Sequence, residues 1–227
     1  MVKDARPIVI ITARTGSTRL PGKVLRPFWK GMSLLEFLIR RLQTKAETSR
    51  LALAIPDTPG NEALAETAQR CGIGVCRGPE EDVLGRMGLC LGGAPAEFVA
   101  RVTADNPFTD PGLFALQWEE MKRRGDDYSY CRNCPRGTAA DIWTAACFRE
   151  SLDLAASPYE REHANAWVWN HPERYRILWF DPPFPMPGPD LNLSIDREEE
   201  FQAVQSRAAL LPDALGATLA ELAGEGR

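Results

Sequence analysis

The stretch Ile8-Val-Ile-Ile-Thr-Ala-Arg-Thr-Gly-Ser-Thr-Arg-Leu-Pro-Gly-Lys23 decides the fold. Ile8 to Ile11 is an unbroken apolar run, the pattern of a parallel strand covered on both faces. The polar segment Ala13 to Lys23 is then a loop at the carboxyl end of that strand. A loop containing Gly16, Ser17 and Gly22 can turn several backbone N–H groups toward one point, which suits a phosphate chain. Arg14, Arg19 and Lys23 add three cations to the same short segment. A nucleoside triphosphate carries roughly four negative charges and matches both features. The loop is not a Walker A motif, because five residues, not four, separate Gly16 from Gly22 and Val24, not Ser or Thr, follows Lys23. The dinucleotide pattern G-x-G-x-x-G does not occur either.

Outward from this stretch, strand and helix patterns alternate. Ser33 and Glu36 form a capping-box pattern before Leu34, Leu35, Phe37, Leu38, Ile39 and Leu42, so a helix begins there. Leu51 to Ile55 is a second buried strand. Asn61 to Arg70 reads as a helix, Ile73 to Cys76 as a strand, Glu80 to Leu91 as a helix and Phe98 to Val102 as a strand. The turn Thr103-Ala-Asp-Asn-Pro107 follows, and Pro111 opens a helix to about Arg124. This rhythm predicts a doubly wound α/β sheet, with ligands beyond the carboxyl ends of the strands. The loops at 13–23, 56–60, 77–80 and 103–110 then share one rim.

The second half is less regular. Strands are expected at Tyr128 to Cys131, Ala140 to Thr144, Arg174 to Phe180 and Leu191 to Ile195. Ser157-Pro-Tyr-Glu160 starts a helix expected to run to about Trp169. The five-proline segment 181–189 reads as an extended loop. A helix follows from Asp196 through Arg207, and the tail from Pro212 reads as helical. The face with Trp167, Val168 and Trp169 suits core or interface, and His171 before Pro172 has a structural place.

Composition narrows the function classes. The chain has 227 residues, 44% hydrophobic and 26% charged, which suits a globular α/β protein. The 27 basic and 31 acidic residues give a net charge of −4, which disfavours a general nucleic-acid binder. No stretch approaches the roughly 20 apolar residues of a membrane span. The amino terminus lacks a signal-peptide pattern, so the expected location is cytoplasmic and the six cysteines are expected as thiols. The pair Cys131-Arg-Asn-Cys134 has no second pair or nearby His to complete a zinc site.

The run Ala13-Arg-Thr-Gly-Ser-Thr-Arg-Leu-Pro-Gly-Lys-Val-Leu25 resembles the signature of cytidylyltransferases of the sugar-acid type, in the branch typified by spore coat polysaccharide biosynthesis protein F. The resemblance continues in order through Arg77-Gly-Pro-Glu-Glu-Asp-Val-Leu84 with Arg86, and Arg101-Val-Thr-Ala-Asp-Asn-Pro107 with Asp110-Pro111. It then runs through Glu160-Arg-Glu-His163, Asn170-His-Pro-Glu-Arg174 and Leu193-Ser-Ile-Asp196, and covers residues 7 to about 205. It implies a three-layer α/β/α nucleotidyltransferase fold with a mostly parallel sheet. One domain is expected, with a nucleotide-binding part at about 7–125, an acceptor-side lobe at about 126–209 and a helical tail at 210–227. The implied activity is magnesium-dependent transfer of CMP from CTP to an anionic acceptor, with release of pyrophosphate, for surface polysaccharide assembly.

Residue roles follow from the resemblance together with the chemistry. Nucleotidyl transfer needs cations and a metal to absorb charge on the phosphates. Arg14, Lys23 and Asp105 are the expected catalytic groups. Ala13, Arg14, Gly16, Ser17, Arg19, Lys23, Arg77, Asp82 and Thr103 are expected around the nucleotide, and Asp141, Arg161, Glu162 and His163 around the acceptor. Magnesium takes few carboxylates and completes its octahedron with phosphate and water. The resemblance assigns it to Asp105 and Asp196; from sequence alone Asp196 is equally a helix cap. The partners are CTP and a small anionic acceptor, with no nucleic acid and no membrane, and a homodimer is left open. Two departures stand out: Ala104 replaces the family's usual Gly, and Ala139 replaces the first acidic residue of an acceptor-side motif. Two rival readings therefore stay open, a phosphonate or phosphorylated small acid as acceptor, and a lapsed, nucleotide-binding regulatory module.

Overall fold

The structure is a computed structural model and describes residues 7–44, 50–92, 96–183, 186 and 190–224. Four parallel strands form its centre: β1 (Ile8–Thr12), β4 (Arg50–Pro56), β5 (Gly74–Gly78) and β6 (Phe98–Thr103). Between β1 and β4 lie a small hairpin, β2 (Pro27–Trp29) and β3 (Met32–Ser33), and helix α1 (Leu34–Gln43). Helices α2 (Glu62–Arg70) and α3 (Val83–Leu91) flank β5, and α4 (Pro111–Arg124) follows β6. Strands β7 (Tyr128–Cys131), β8 (Asp141–Thr144) and β9 (Ile177–Phe180) complete a seven-stranded sheet of order β5-β4-β1-β6-β8-β7-β9. Only β8 runs against its neighbours, so the sheet is mostly parallel as expected.

The apolar runs divide their side chains between two cores, as the alternation of a strand dictates. Val9 and Ile11 of β1, Leu53 and Ile55 of β4, and Ala100 and Val102 of β6 pack with α1, α2 and α4. Ile8, Ile10, Ala52, Ala54 and Val99 face the other side, against α3 and α5 (Ala145–Leu154). Helices therefore cover both faces, the three-layer α/β/α architecture. Helix α8 (Glu198–Ala209) joins the first core through Phe201 and Val204.

Several elements differ from expectation. Helix α5 and the β2–β3 hairpin carry no strong periodic signal and were not expected. Helix α3 begins at Val83, three residues late, because the Asp82 carboxylate caps it by accepting from the Gly85 N–H at 2.7 Å. The helix expected over 157–169 is two short ones, α6 (Pro158–Glu162) and α7 (Ala166–Asn170). His163 leaves helical geometry between them, with φ −99° and ψ 88°. Leu191 to Ile195 is not a strand; it has one isolated bridge, Arg136 with Asn192. The reason lies at Gly137, whose φ of +86° and missing Cβ let the 191–195 backbone come close, since a Cβ there would sit 2.7 Å from the Ser194 nitrogen. Among the described residues the tail is helical only at α9 (Leu219–Ala223). Most of the expected proline loop, 184–185 and 187–189, lies outside the described residues, as does the amino terminus before Pro7.

Candidate active site

The cleft sits where the carboxyl ends of β1 and β6 meet, the place the alternating pattern indicates. The loop after β1 forms one wall. Asn61, 3% exposed, accepts from both the backbone N–H and the hydroxyl of Thr15, each at 3.1 Å, and so ties this loop to the start of α2. Ser17 accepts from the Leu20 N–H at 3.3 Å. Gly22, with φ +67°, turns the chain into a single 3-10 turn that begins at Lys23.

Lys23 is the centre of the site. Its side chain is only 8% exposed, and its ammonium donates to Asp105 Oδ2 at 2.9 Å, to the Ile195 carbonyl at 2.5 Å and to Asp196 Oδ1 at 3.5 Å. Asp105 and Asp196 therefore converge on one point from distant parts of the chain. Asp196 does not cap α8; Arg197 holds the capping position. Its carboxylate also accepts from Arg19 at 3.0 Å and Arg136 at 2.8 Å. Two carboxylate groups facing one cation are a donor set a hard divalent ion accepts, provided phosphate and water supply the remaining ligands.

Of the residues expected from sequence, Ala13, Arg14, Ser17, Arg19, Lys23, Thr103, Asp105, Glu162, His163 and Asp196 line this cleft. Gly16 is beside it, where a Cβ would approach Glu80 Oε1 at 3.3 Å. Arg14 reaches Glu162 at 4.0 Å across the opening. Ala104 also lines the cleft, and its backbone N–H donates to the Thr12 carbonyl at 3.0 Å. Among the described residues only Lys30 and Asn133 are non-glycines with positive φ, so the turn before Asp105 does not require glycine.

Four expected residues are placed elsewhere. Arg77 is exposed on β5, a sheet-edge strand. Asp82 and Arg161 pair with each other at 2.5 Å, and Arg161 also donates to the Leu152 carbonyl at 2.8 Å. The helix break at His163 thus sends Glu162 and His163 to the cleft while Arg161 braces α6 against α3. Asp141 lines a second cavity together with Asn106, Tyr130, Arg132 and Arg136. It accepts from the Tyr128 hydroxyl at 2.6 Å. Burial first, and the neighbouring Asp141 charge next, push the Tyr128 phenol well above its ordinary range, so it stays a donor.

Three residues with no expected role, Arg86, Arg101 and Arg136, belong to the site. Arg101 and Thr103 line both cavities and connect them. The Arg101 guanidinium has no hydrogen-bond or ion-pair partner among the described residues, and its Nε is buried. Arg86 is 2% exposed, lines the cleft and donates to the Pro79 carbonyl at 2.6 Å and the Glu80 carbonyl at 2.5 Å. Arg136 approaches through the Gly137 turn. Sequence order alone offers no signal for Arg136, whereas Arg86 and Arg101 lie inside the motif segments.

The family described as Cytidylyltransferase matches residues 8–215. The chain belongs to the cytidylyltransferase family. It is therefore a nucleotidyltransferase by descent and by fold. Spore coat polysaccharide biosynthesis protein SpsF of Bacillus subtilis is 32% identical over 223 residues, covering 95% of this chain and 92% of that protein. Among solved structures, a cytidylyltransferase from Leptospira borgpetersenii superposes with a TM-score of 0.86 at 24% identity, covering 96% of this chain and 92% of its own. CMP:2-keto-3-deoxy-manno-octonic acid synthetase, solved with CTP, has a TM-score of 0.68 at 14% identity, covering 90% of this chain and 98% of its own. The cytidylyltransferase fold is thus present throughout the described sheet. Among the described residues no helix is long and apolar enough to cross a membrane.

Proposed function

We propose that this cytidylyltransferase transfers CMP from CTP to a small anionic acceptor and releases pyrophosphate, in the making of an activated sugar acid or similar acidic metabolite for surface polysaccharide. The observation that carries the reading is the convergence of Lys23, Asp105 and Asp196 beneath the loop bearing Arg14 and Arg19. The kinship to SpsF and the fold shared with the CTP-bound synthetase support cytosine as the base and a sugar acid as the acceptor class.

Asp105 and Asp196 would hold a divalent ion, for which Mg2+ suits the two-carboxylate donor set. When bound, such an ion supplies charge stabilisation at the phosphates. The chain's own groups do the rest. Arg14 and Arg19 neutralise the triphosphate, and Ser17 with its neighbouring N–H groups orients it. Preorganised contacts of this kind each lower a barrier by about 3 kcal/mol. Thr103 and Arg101, shared by the two cavities, place the acceptor beside the nucleotide, and Asp141, Glu162 and His163 offer it polar contacts.

Pyrophosphate release tests the proposal, measured with each of four nucleoside triphosphates, Mg2+ and an acceptor panel including 3-deoxy-manno-octulosonate and N-acetylneuraminate. Release with CTP alone, dependent on one acceptor and on Mg2+, is expected. Release with another nucleotide in preference to CTP, or silence across a broad panel, would overturn it.

A further inference from the structure

We propose that Lys23 is a built-in counter-ion that stands in for the divalent metal until nucleotide arrives, so that metal and nucleotide bind as a coupled pair. The starting point is electrostatic. Asp105 and Asp196 are directed at one spot in a cleft where their side chains are 27% and 15% exposed. Two carboxylates held together in a cleft repel each other unless a cation lies between them. Lys23 fills that place, 2.9 Å from one carboxylate and 3.5 Å from the other.

The ammonium is also held by the Ile195 carbonyl, and its side chain is nearly buried. A divalent ion seeking the same two carboxylates must therefore displace an ammonium that both of them already hold. Asp196 is further neutralised by Arg19 and Arg136, which weakens its pull on a bare metal. A bound triphosphate changes this balance, because its oxygens give the displaced ammonium a new partner in the same cleft. Metal then replaces Lys23 between the carboxylates while Lys23 moves to phosphate. By linkage, the metal raises nucleotide affinity by the same factor as nucleotide raises metal affinity. The second half of this scheme rests on the cytidylyl-transfer reading; the competition between Lys23 and metal does not.

The test is a titration of the full chain with Mn2+, following the electron paramagnetic resonance signal of the free ion in the absence of nucleotide. Lys23→Met should bind Mn2+ at least about tenfold more tightly than the parent, because the competing charge is gone. Adding Asp196→Asn to Lys23→Met should remove that gain. Equal affinity in parent and Lys23→Met, or a gain that survives Asp196→Asn, would overturn the proposal. Should Lys23→Met fold poorly, the parent decides. With its lysines 13C-methylated, the Lys23 resonance should shift with Mg2+ and CTP together but hardly with Mg2+ alone, and an equal shift with Mg2+ alone refutes the scheme. A Lys23→Met gain in Mn2+ affinity with no effect of CTP on either protein would instead count against the cytidylyl-transfer reading.

Discussion

The backbone N–H of Ile195 donates to the backbone carbonyl of Asp105 at 2.9 Å. This one bond joins the turn after β6 to the segment before α8, and it brings Asp196 beside Asp105. The Lys23 ammonium then closes the same junction through the Ile195 carbonyl. The two carboxylates are thus placed by backbone, not by long flexible side chains, and their separation is preset before any ligand binds. Such preorganisation is what electrostatic catalysis requires.

Lys23→Ala should lower turnover by about a hundredfold, equivalent to about 3 kcal/mol of barrier. The substitution removes a nearly buried cation from two carboxylates, so stability should fall too. Steady-state kinetics at saturating CTP checks the first effect, and an unchanged kcat would contradict the role.

Arg161→Ala should act on stability more than on acceptor binding. The side chain is about a quarter exposed, and it links Asp82 at the cap of α3 to the Leu152 carbonyl at the end of α5. Losing both contacts should cost about 1–2 kcal/mol, read as a shift in the urea midpoint. A rise in acceptor KM with the midpoint unmoved would instead restore Arg161 to the acceptor site.

Arg41 offers the clearest stability test. It is 1% exposed and donates to the carbonyls of Thr109, Ala214, Leu215 and Ala217, and it pairs with Asp110 at 3.3 Å. This single guanidinium fastens the segment after α8 to the start of α4. Arg41→Met fills similar volume yet strands those carbonyls, and should destabilise by about 3 kcal/mol or more. Limited proteolysis should then cut near 212–217 at native conditions, and continued resistance there would show that apolar packing alone holds the tail.

Cys134 should be the most readily alkylated thiol near neutral pH. Its pairing with Cys131 lowers Cys134 below an ordinary thiol, whereas burial pushes Cys147 up to about 12. A lowered acid value means the thiolate forms at lower pH than in an ordinary thiol, so the midpoint of its reaction with iodoacetamide should lie below about 8.5. Cys131→Ala removes that partner and should move the midpoint upward. Peptide mass mapping across pH checks both, and a midpoint near that of an ordinary thiol in the parent would contradict the pairing.

Much of the fold was legible because its signals are local. The apolar runs of β1, β4 and β6 and the caps Ser33, Asp110 and Ser157 each act within a few residues, and each element formed close to where those residues place it. The errors share a cause as well. The 157–169 helix has an uninterrupted helical pattern, yet it breaks at His163, where Arg161 and Glu162 are drawn to different neighbours. Leu191 to Ile195 alternates like a strand but has the Gly137 turn on one side and the Asp105 turn on the other, so it makes single bonds and no ladder.

By itself the sequence determined the doubly wound sheet, the rim on which the chemistry sits and the cationic loop after the first strand, because hydrophobic period, capping and turn residues are short-range properties of the chain. Which charges neutralise which is settled by the folded chain. It turned Arg161 and Asp82 toward each other, brought Arg136 to Asp196 and set Lys23 between two aspartates, because the pairing of charges depends on distances across the folded molecule that no local pattern records.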